Sequence, residues 1–313
     1  MSDTLPIIDF APFLAGNAAQ KATVAQQVYQ ACHQIGFMYL KHLRIPSPLT
    51  ARLFEQSRQF FALPLAAKQA IAWSEATSNR GYVGLGRERL DPAQPGDLKE
   101  AFNIGREPTD AVADAVLNQW PDPKTLPHFR ATALEFYRAA IGAASDVLRA
   151  MAIALNLPET LLAEAHSQQD QTLRLLHYPP LSAAPQTGQT RAGAHSDYGS
   201  ITLLFQDDIG GLEVRTRQGK WLAAPAIAGA VLVNTGDLME RWTNHEFCST
   251  LHRVRLPDAA VRQRSRDSIA FFCQPNPDAE IACLETCQTG DRPPLYPPIK
   301  AGDYLLSKLQ ATY

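Results

Sequence analysis

The sequence predicts a mainly β protein with helices, a sandwich or barrel braced by helical segments from its first half. Three observations carry this. From Leu173 onward short apolar runs (LRLLHY, ITLLFQ, GLEVRT, AVLVNTG, LHRVRL and SIAFFCQ) alternate with turn residues, the pattern of strands in a sandwich or barrel. Upstream, apolar residues recur at three- and four-residue steps, the period of amphipathic helices. The 313 residues are 45% hydrophobic and 19% charged, a globular balance at a size where such β folds form one unit.

The elements follow in order. Pro6 to Phe10 reads as a short opening strand. Val24, Val28, Ala31, Cys32 and Ile35 mark a helix that Gly36 ends, and Phe37 to Leu40 reads as a strand. Leu49, Leu53, Phe54 and Phe61 mark a second helix. Leu134, Ile141, Val147, Leu148, Met151 and Leu155 mark a third over 130–155. Between them Ser78 to Arg106, rich in Gly, Pro and charge, reads as an irregular functional loop. At the far end Pro293, Pro294, Pro297 and Pro298 lead to a short helix over Tyr304 to Leu309. The expected division is a helical region over 1–165 with a variable loop, a β core over 166–275 and an extension over 276–313, all in one compact unit.

Twenty-nine basic and 31 acidic residues give a formal net charge of -2, with no basic block, so nucleic acid is not an expected partner. The start MSDTLPIIDF lacks a basic segment followed by an apolar one, and no apolar run approaches the ~20 residues of a membrane span. A cytoplasmic protein without a membrane partner is expected. Five scattered cysteines read as reduced thiols. Cys283 and Cys287 lack the second pair a structural zinc site needs, so they read as small hydrophobes.

His195 and Asp197 flank Ser196, and in extended backbone side chains two apart point to the same side. His252, in LHRVR, completes a set of two imidazoles and a carboxylate if its strand folds back beside them. Such a face, with open positions, suits Fe(II). Zn²⁺ with one water, for hydrolysis, stays open on these residues alone. His245 is the rival distal ligand, but TNHEF has the polar character of a loop. His33, His42, His128, His166 and His177 have no ligand-spaced partner. Arg266 and Ser268 share one face of RDSIAFF, and a guanidinium with a hydroxyl suits a carboxylate. The alternative is a surface arginine in the basic stretch Arg262, Arg264 and Arg266.

The segments LPIIDF, IGFMYLKH, LHYPP, AHSDYGSITLLFQDDIGGLEV, NTGDLMERWTN, STLHRV and RDSIAFF come in an order that resembles the isopenicillin N synthase-like branch of Fe(II)/2-oxoglutarate-dependent dioxygenases, over nearly the whole chain. The resemblance implies a double-stranded β-helix (jelly-roll) core braced by N-terminal helices, with iron on His195, Asp197 and His252. It implies 2-oxoglutarate and O₂ as co-substrates, Arg266 and Ser268 on the far carboxylate of 2-oxoglutarate, and a hydroxyl from Tyr178. Several plant relatives carry Asn where this chain has Leu176, which is assigned to packing.

The implied reaction oxidises a small molecule, by default through hydroxylation, releasing succinate and CO₂. Substrate contacts are expected from the N-terminal half, with Arg80, Tyr82, Glu100 and Phe102 as candidates. The stretch GYVGLGRE through DLKEAFNIG resembles a microbial and fungal branch that includes thymine 7-hydroxylase and the ethylene-forming enzyme. Phe271 and Phe272 alternate faces, so one is expected in the core and the other at the pocket. Gly210 and Gly211 read as a tight turn, Asn234 to Asp237 as another, and Trp221 as core. Competing readings are an iron oxidase of the same fold that does not use 2-oxoglutarate, a zinc hydrolase and a non-catalytic metal-binding jelly roll. A monomer or small homo-oligomer is expected; the substrate and the position oxidised are not legible.

Overall fold

A computed structural model describes residues 4–73, 79–89, 95–108, 116–181 and 185–312. Ser78 and residues 90–94 of the expected loop, and Met1 to Asp3 of the opening, lie outside the described residues.

The chain opens with β1 (Ile7–Asp9) and α1 (Ala11–Ala15). The Asn17 side chain then accepts from the Gln20 N–H at 3.0 Å while the Gln20 side chain accepts from the Asn17 N–H at 2.9 Å. This reciprocal capping box starts α2 (Ala18–Gln34). Gly36 stops it at φ 68°, and a Cβ there would lie 2.2 Å from the Cys248 carbonyl oxygen. β2 (Phe37–Lys41), α3 (Ser47–Phe61), α4 (Leu65–Gln69), β3 (Gly81–Val83), β4 (Glu100–Ile104), α5 (Phe129–Ala154) and α6 (Leu161–Glu164) complete the first half. Then come β5 (Thr172–Tyr178), β6 (Ala192–His195), β7 (Ile201–Gln206), β8 (Leu212–Arg215), β9 (Trp221–Ala223), β10 (Ala230–Thr235), α7 (Asp237–Trp242), β11 (His252–Val254), β12 (Arg266–Cys273), β13 (Glu280–Ile281), β14 (Ile299–Lys300) and α8 (Ala301–Thr312).

The major sheet has the order β1-β2-β10-β7-β12-β5-β4-β3, antiparallel except for the β1–β2 pair; the minor sheet runs β6-β11-β8-β9. The two face each other as a jelly roll that does not close into a barrel. Period-two alternation divides the major sheet cleanly. Phe102, Leu173, Leu175, Leu203, Val233, Ile269 and Phe271 point outward into one core shared with α2, α3 and α5. Their neighbours Ala101, Leu176, Tyr178, Leu232 and Ala270 point inward, into a second cluster shared with Ala192, Leu212, Val214 and Val254 of the minor sheet.

Three expectations need correction. The Ser78 to Arg106 segment contains β3 and β4, which extend the major sheet. Its alternation was hidden because inward positions carry Lys99 and Asn103 instead of apolar residues. Asn234 and Thr235 end β10, so only Gly236 and Asp237 of that motif turn the chain, into α7. Trp221 is half-buried on the edge strand β9, with the Arg253 guanidinium 4.0 Å over its ring. The Gly210–Gly211 turn stands: both residues have positive φ, 76° and 94°.

Phe102 is fully buried, its ring 4.5 Å from Phe60 and 5.5 Å from Phe129 between centroids. Phe102→Ala is expected to destabilise the fold by about 3–5 kcal/mol, read as a lower denaturant midpoint.

Candidate metal centre and its cavity

β11 pairs with β6 in the register His252 to His195, and Asp197 follows two residues after His195. This brings one ligand atom from each of the three within 4.8 Å of the others, the one such His/Cys/Asp/Glu group among the described residues. Each imidazole is oriented through Nδ1, which meets the Gly193 carbonyl at 2.7 Å for His195 and the Thr250 carbonyl at 3.1 Å for His252. That fixes the tautomer and turns Nε2 toward the centre. His252 Nε2 lies 3.7 Å from Asp197 Oδ1. Asp197 Oδ2 accepts from Thr202 Oγ1 at 2.6 Å and Asn234 Nδ2 at 2.7 Å, leaving Oδ1 for a ligand.

The protonation states suit a cation. Burial, then the neighbouring His252, push His195 down to about 3, which keeps it neutral with a free lone pair. Burial alone would raise Asp197, but the two imidazoles and the Asn234 and Thr202 hydrogen bonds hold it below its usual range. Asn234→Ala removes one of these bonds and is expected to weaken iron affinity about 10- to 100-fold, measured by anaerobic Fe(II) titration.

His195, Asp197 and His252 line a cavity of about 170 Å³ between the sheets. Tyr178, Arg266, Ser268 and Phe272 line it from the major sheet. Arg266 and Tyr178 are cross-strand partners, with the guanidinium 4.8 Å over the Tyr178 ring. Arg266 is 1% exposed, and its side chain donates to neutral groups, Ser268 Oγ at 3.3 Å and Gln206 Oε1 at 2.9 Å. Its Nε has no partner, and among the described residues no carboxylate forms an ion pair with it. Asp207 acts on it only at longer range than an ion pair, and a buried guanidinium without a close counter-charge is costly unless a ligand supplies one.

Sheet parity decides where the expected substrate residues go. Phe102 and Phe271 point into the outer core; Tyr82 and Glu100 meet each other and Lys68 of α4 on the same side. None of the four lines the cavity; substrate contact is therefore revised for Tyr82, Glu100 and Phe102, while Phe271 is the core member of the expected Phe271–Phe272 pair. Phe272 does line it. Arg80 sits in an adjoining depression, 3.4 Å from Asp170, where Asn79, Thr172, Gln274, Leu305 and Leu309 are shared with the cavity. Leu176, expected to be packing, is buried at the cavity wall. His245 lies after α7 at φ 63°, with Nε2 2.6 Å from Tyr296 Oη, away from the cavity.

Sequence reasoning missed Thr202 and Asn234, which hold Asp197, and a charged group made of Glu88, Asp97, Lys99 and Arg174. Arg174, in the middle of the apolar run LRLLHY, was the available signal, since unpaired charge is seldom buried.

Sequence comparison places these features in a family. A profile described as non-haem dioxygenase in morphine synthesis N-terminal matches residues 5–123, and the 2OG-Fe(II) oxygenase superfamily profile matches residues 169–275. A 2-oxoglutarate-Fe(II) type oxidoreductase of Emericella nidulans is 37% identical over 320 residues, 98% of this chain and 90% of that protein. A proline hydroxylase of Petromyces alliaceus is 34% identical, over 98% of each. The crystal structure of a Neurospora crassa protein in complex with alpha-KG and thymine superposes with a TM-score of 0.91 at 36% identity, covering 99% of this chain and 97% of that one. With likeness at this level along almost the entire length, the chain belongs to the isopenicillin N synthase-like, Fe(II)- and 2-oxoglutarate-dependent dioxygenases, oxidoreductases that act on small molecules.

Proposed function

We propose that His195, Asp197 and His252 hold the Fe(II), and that Arg266 and Ser268 bind the far carboxylate of 2-oxoglutarate over the ring of Tyr178. The observation that carries the second half is the buried Arg266 guanidinium, which lines the same cavity as the three ligands and, among the described residues, forms no ion pair with a carboxylate. The donor set fits the metal: two imidazoles and one carboxylate, each oriented by a second hydrogen bond. Bound iron supplies the O₂ and one-electron chemistry. The protein's own groups do the rest: Arg266 and Ser268 align the co-substrate, and Leu176, Val254, Ala270 and Phe272 supply apolar parts of the cavity wall.

Hydroxylation of the substrate is the proposed outcome. Among the described residues no helix is long and apolar enough to cross a membrane. Relatives described as a proline hydroxylase and as a thymine complex frame the choice between a charged and a neutral substrate. The test is succinate release from 2-oxoglutarate by anaerobically loaded protein on admitting O₂ with candidate substrates. Oxidised product without succinate would replace this reading with an oxidase that does not use 2-oxoglutarate.

A further inference from the structure

The two strands that carry Tyr178 and Arg266 end together. β12 begins at Arg266, whose cross-strand partner Tyr178 is the last residue of β5. Pro179 follows and has no N–H to extend the ladder, so the pairing stops there. Just past the end, the carbonyls of Pro179 and Arg264 accept instead from a single atom, Arg191 Nη2, at 3.3 and 3.2 Å.

Arg191 belongs to the opposite sheet. It immediately precedes β6, the strand that ends on the metal ligand His195. Its side chain therefore spans from the strand of one ligand to the strand ends that present the co-substrate groups. Arg191 is 1% exposed, and its guanidinium lies 6.0 Å from the Tyr178 ring, the ring that Arg266 also covers. Its Nε is buried without a partner, and among the described residues no carboxylate forms an ion pair with it. Burial, and then the like charge of Arg266, push Arg191 below the usual arginine range; Tyr178 and Asp207 offset this only in part. A tie between strand ends could use a neutral donor. A second buried cation beside Arg266 adds repulsion, and what it adds in return is a charge-assisted, stronger hold on both carbonyls.

We propose that Arg191 is a positioning residue for the co-substrate, clamping the Tyr178–Arg266 pair at a fixed place relative to the metal ligands. The proposal rests on the reading that Arg266 binds the far carboxylate of 2-oxoglutarate. Arg191 does not line the cavity, so it acts through that pair and not by contact.

The test uses full-length protein loaded anaerobically with Fe(II). It compares 2-oxoglutarate with 2-oxopentanoate, which ends in a methyl group where 2-oxoglutarate has its far carboxylate. Affinities are read by calorimetry, with displacement titration for the weaker acid. The wild type should prefer 2-oxoglutarate at least about 30-fold. Arg191→Met should lower that preference about tenfold, the scale of one hydrogen bond to a charged group, by weakening 2-oxoglutarate alone and with iron content unchanged. In an Arg266→Ala background the same substitution should change the preference no further. An Arg191 that serves only the fold would lower the unfolding midpoint and leave the preference where it was. That outcome would overturn the proposal, as would a full tenfold effect on top of Arg266→Ala. If Arg191→Met does not fold, Arg191→Gln, shorter and uncharged, should lower the preference at least about threefold; an unmoved preference in that variant would count equally against the clamp. A wild type without preference, or an Arg266→Ala variant that keeps all of it, would instead sink the reading of Arg266, and the clamp with it.

Discussion

Asp197→Ala is expected to leave the protein without iron. Anaerobic reconstitution with Fe(II) followed by metal analysis should return close to no iron per chain, and succinate formation should fall to the detection limit. The size of the effect has a physical source. Asp197 supplies the only negative charge of the three ligands, and its removal leaves Thr202 Oγ1 and Asn234 Nδ2 without their acceptor. His245→Ala is the control, because that ring is exposed and bound to Tyr296; its iron content should match the wild type. Full iron in the Asp197 variant, or lost iron in the His245 variant, would overturn the ligand assignment.

Arg266→Ala should raise the 2-oxoglutarate requirement by roughly 2 to 5 kcal/mol, the range for losing one partner of a buried charged pair. At ~1.4 kcal/mol per decade this is about 30-fold to several thousand-fold in KM. Iron stoichiometry should stay unchanged, since Arg266 lies on the facing sheet. Arg266→Lys should recover part of the loss: it restores charge without the planar fork that engages both carboxylate oxygens. A KM for 2-oxoglutarate that does not move would mean that Arg266 serves the fold alone.

Much of this architecture was legible because its signals are local. The capping residues of α2, the glycine that ends it and the apolar period of α5 depend on neighbours a few positions away. His195 and Asp197 were legible as a pair for the same reason. His252 came from the character of its run, and the structure supplies the register that no spacing contains. What escaped were long-range dependencies. Asn234 looks like a turn residue until Asp197 lies 2.7 Å away. The β4 strand looks irregular until Lys99 meets Glu88 and Asp97. Tyr82, Glu100 and Phe102 lie in the right segment but on the wrong parity, a distinction that depends on which face of the sheet the helices cover.

That parity bears on what substitution can do here. Along β4, β5 and β12, Asn103, Arg174 and Phe272 look into the cavity while Phe102, Leu173 and Phe271 hold the helices on the other side. Substitution at the alternate positions can therefore change what the cavity accepts while the apolar residues between them keep their packing against the helices.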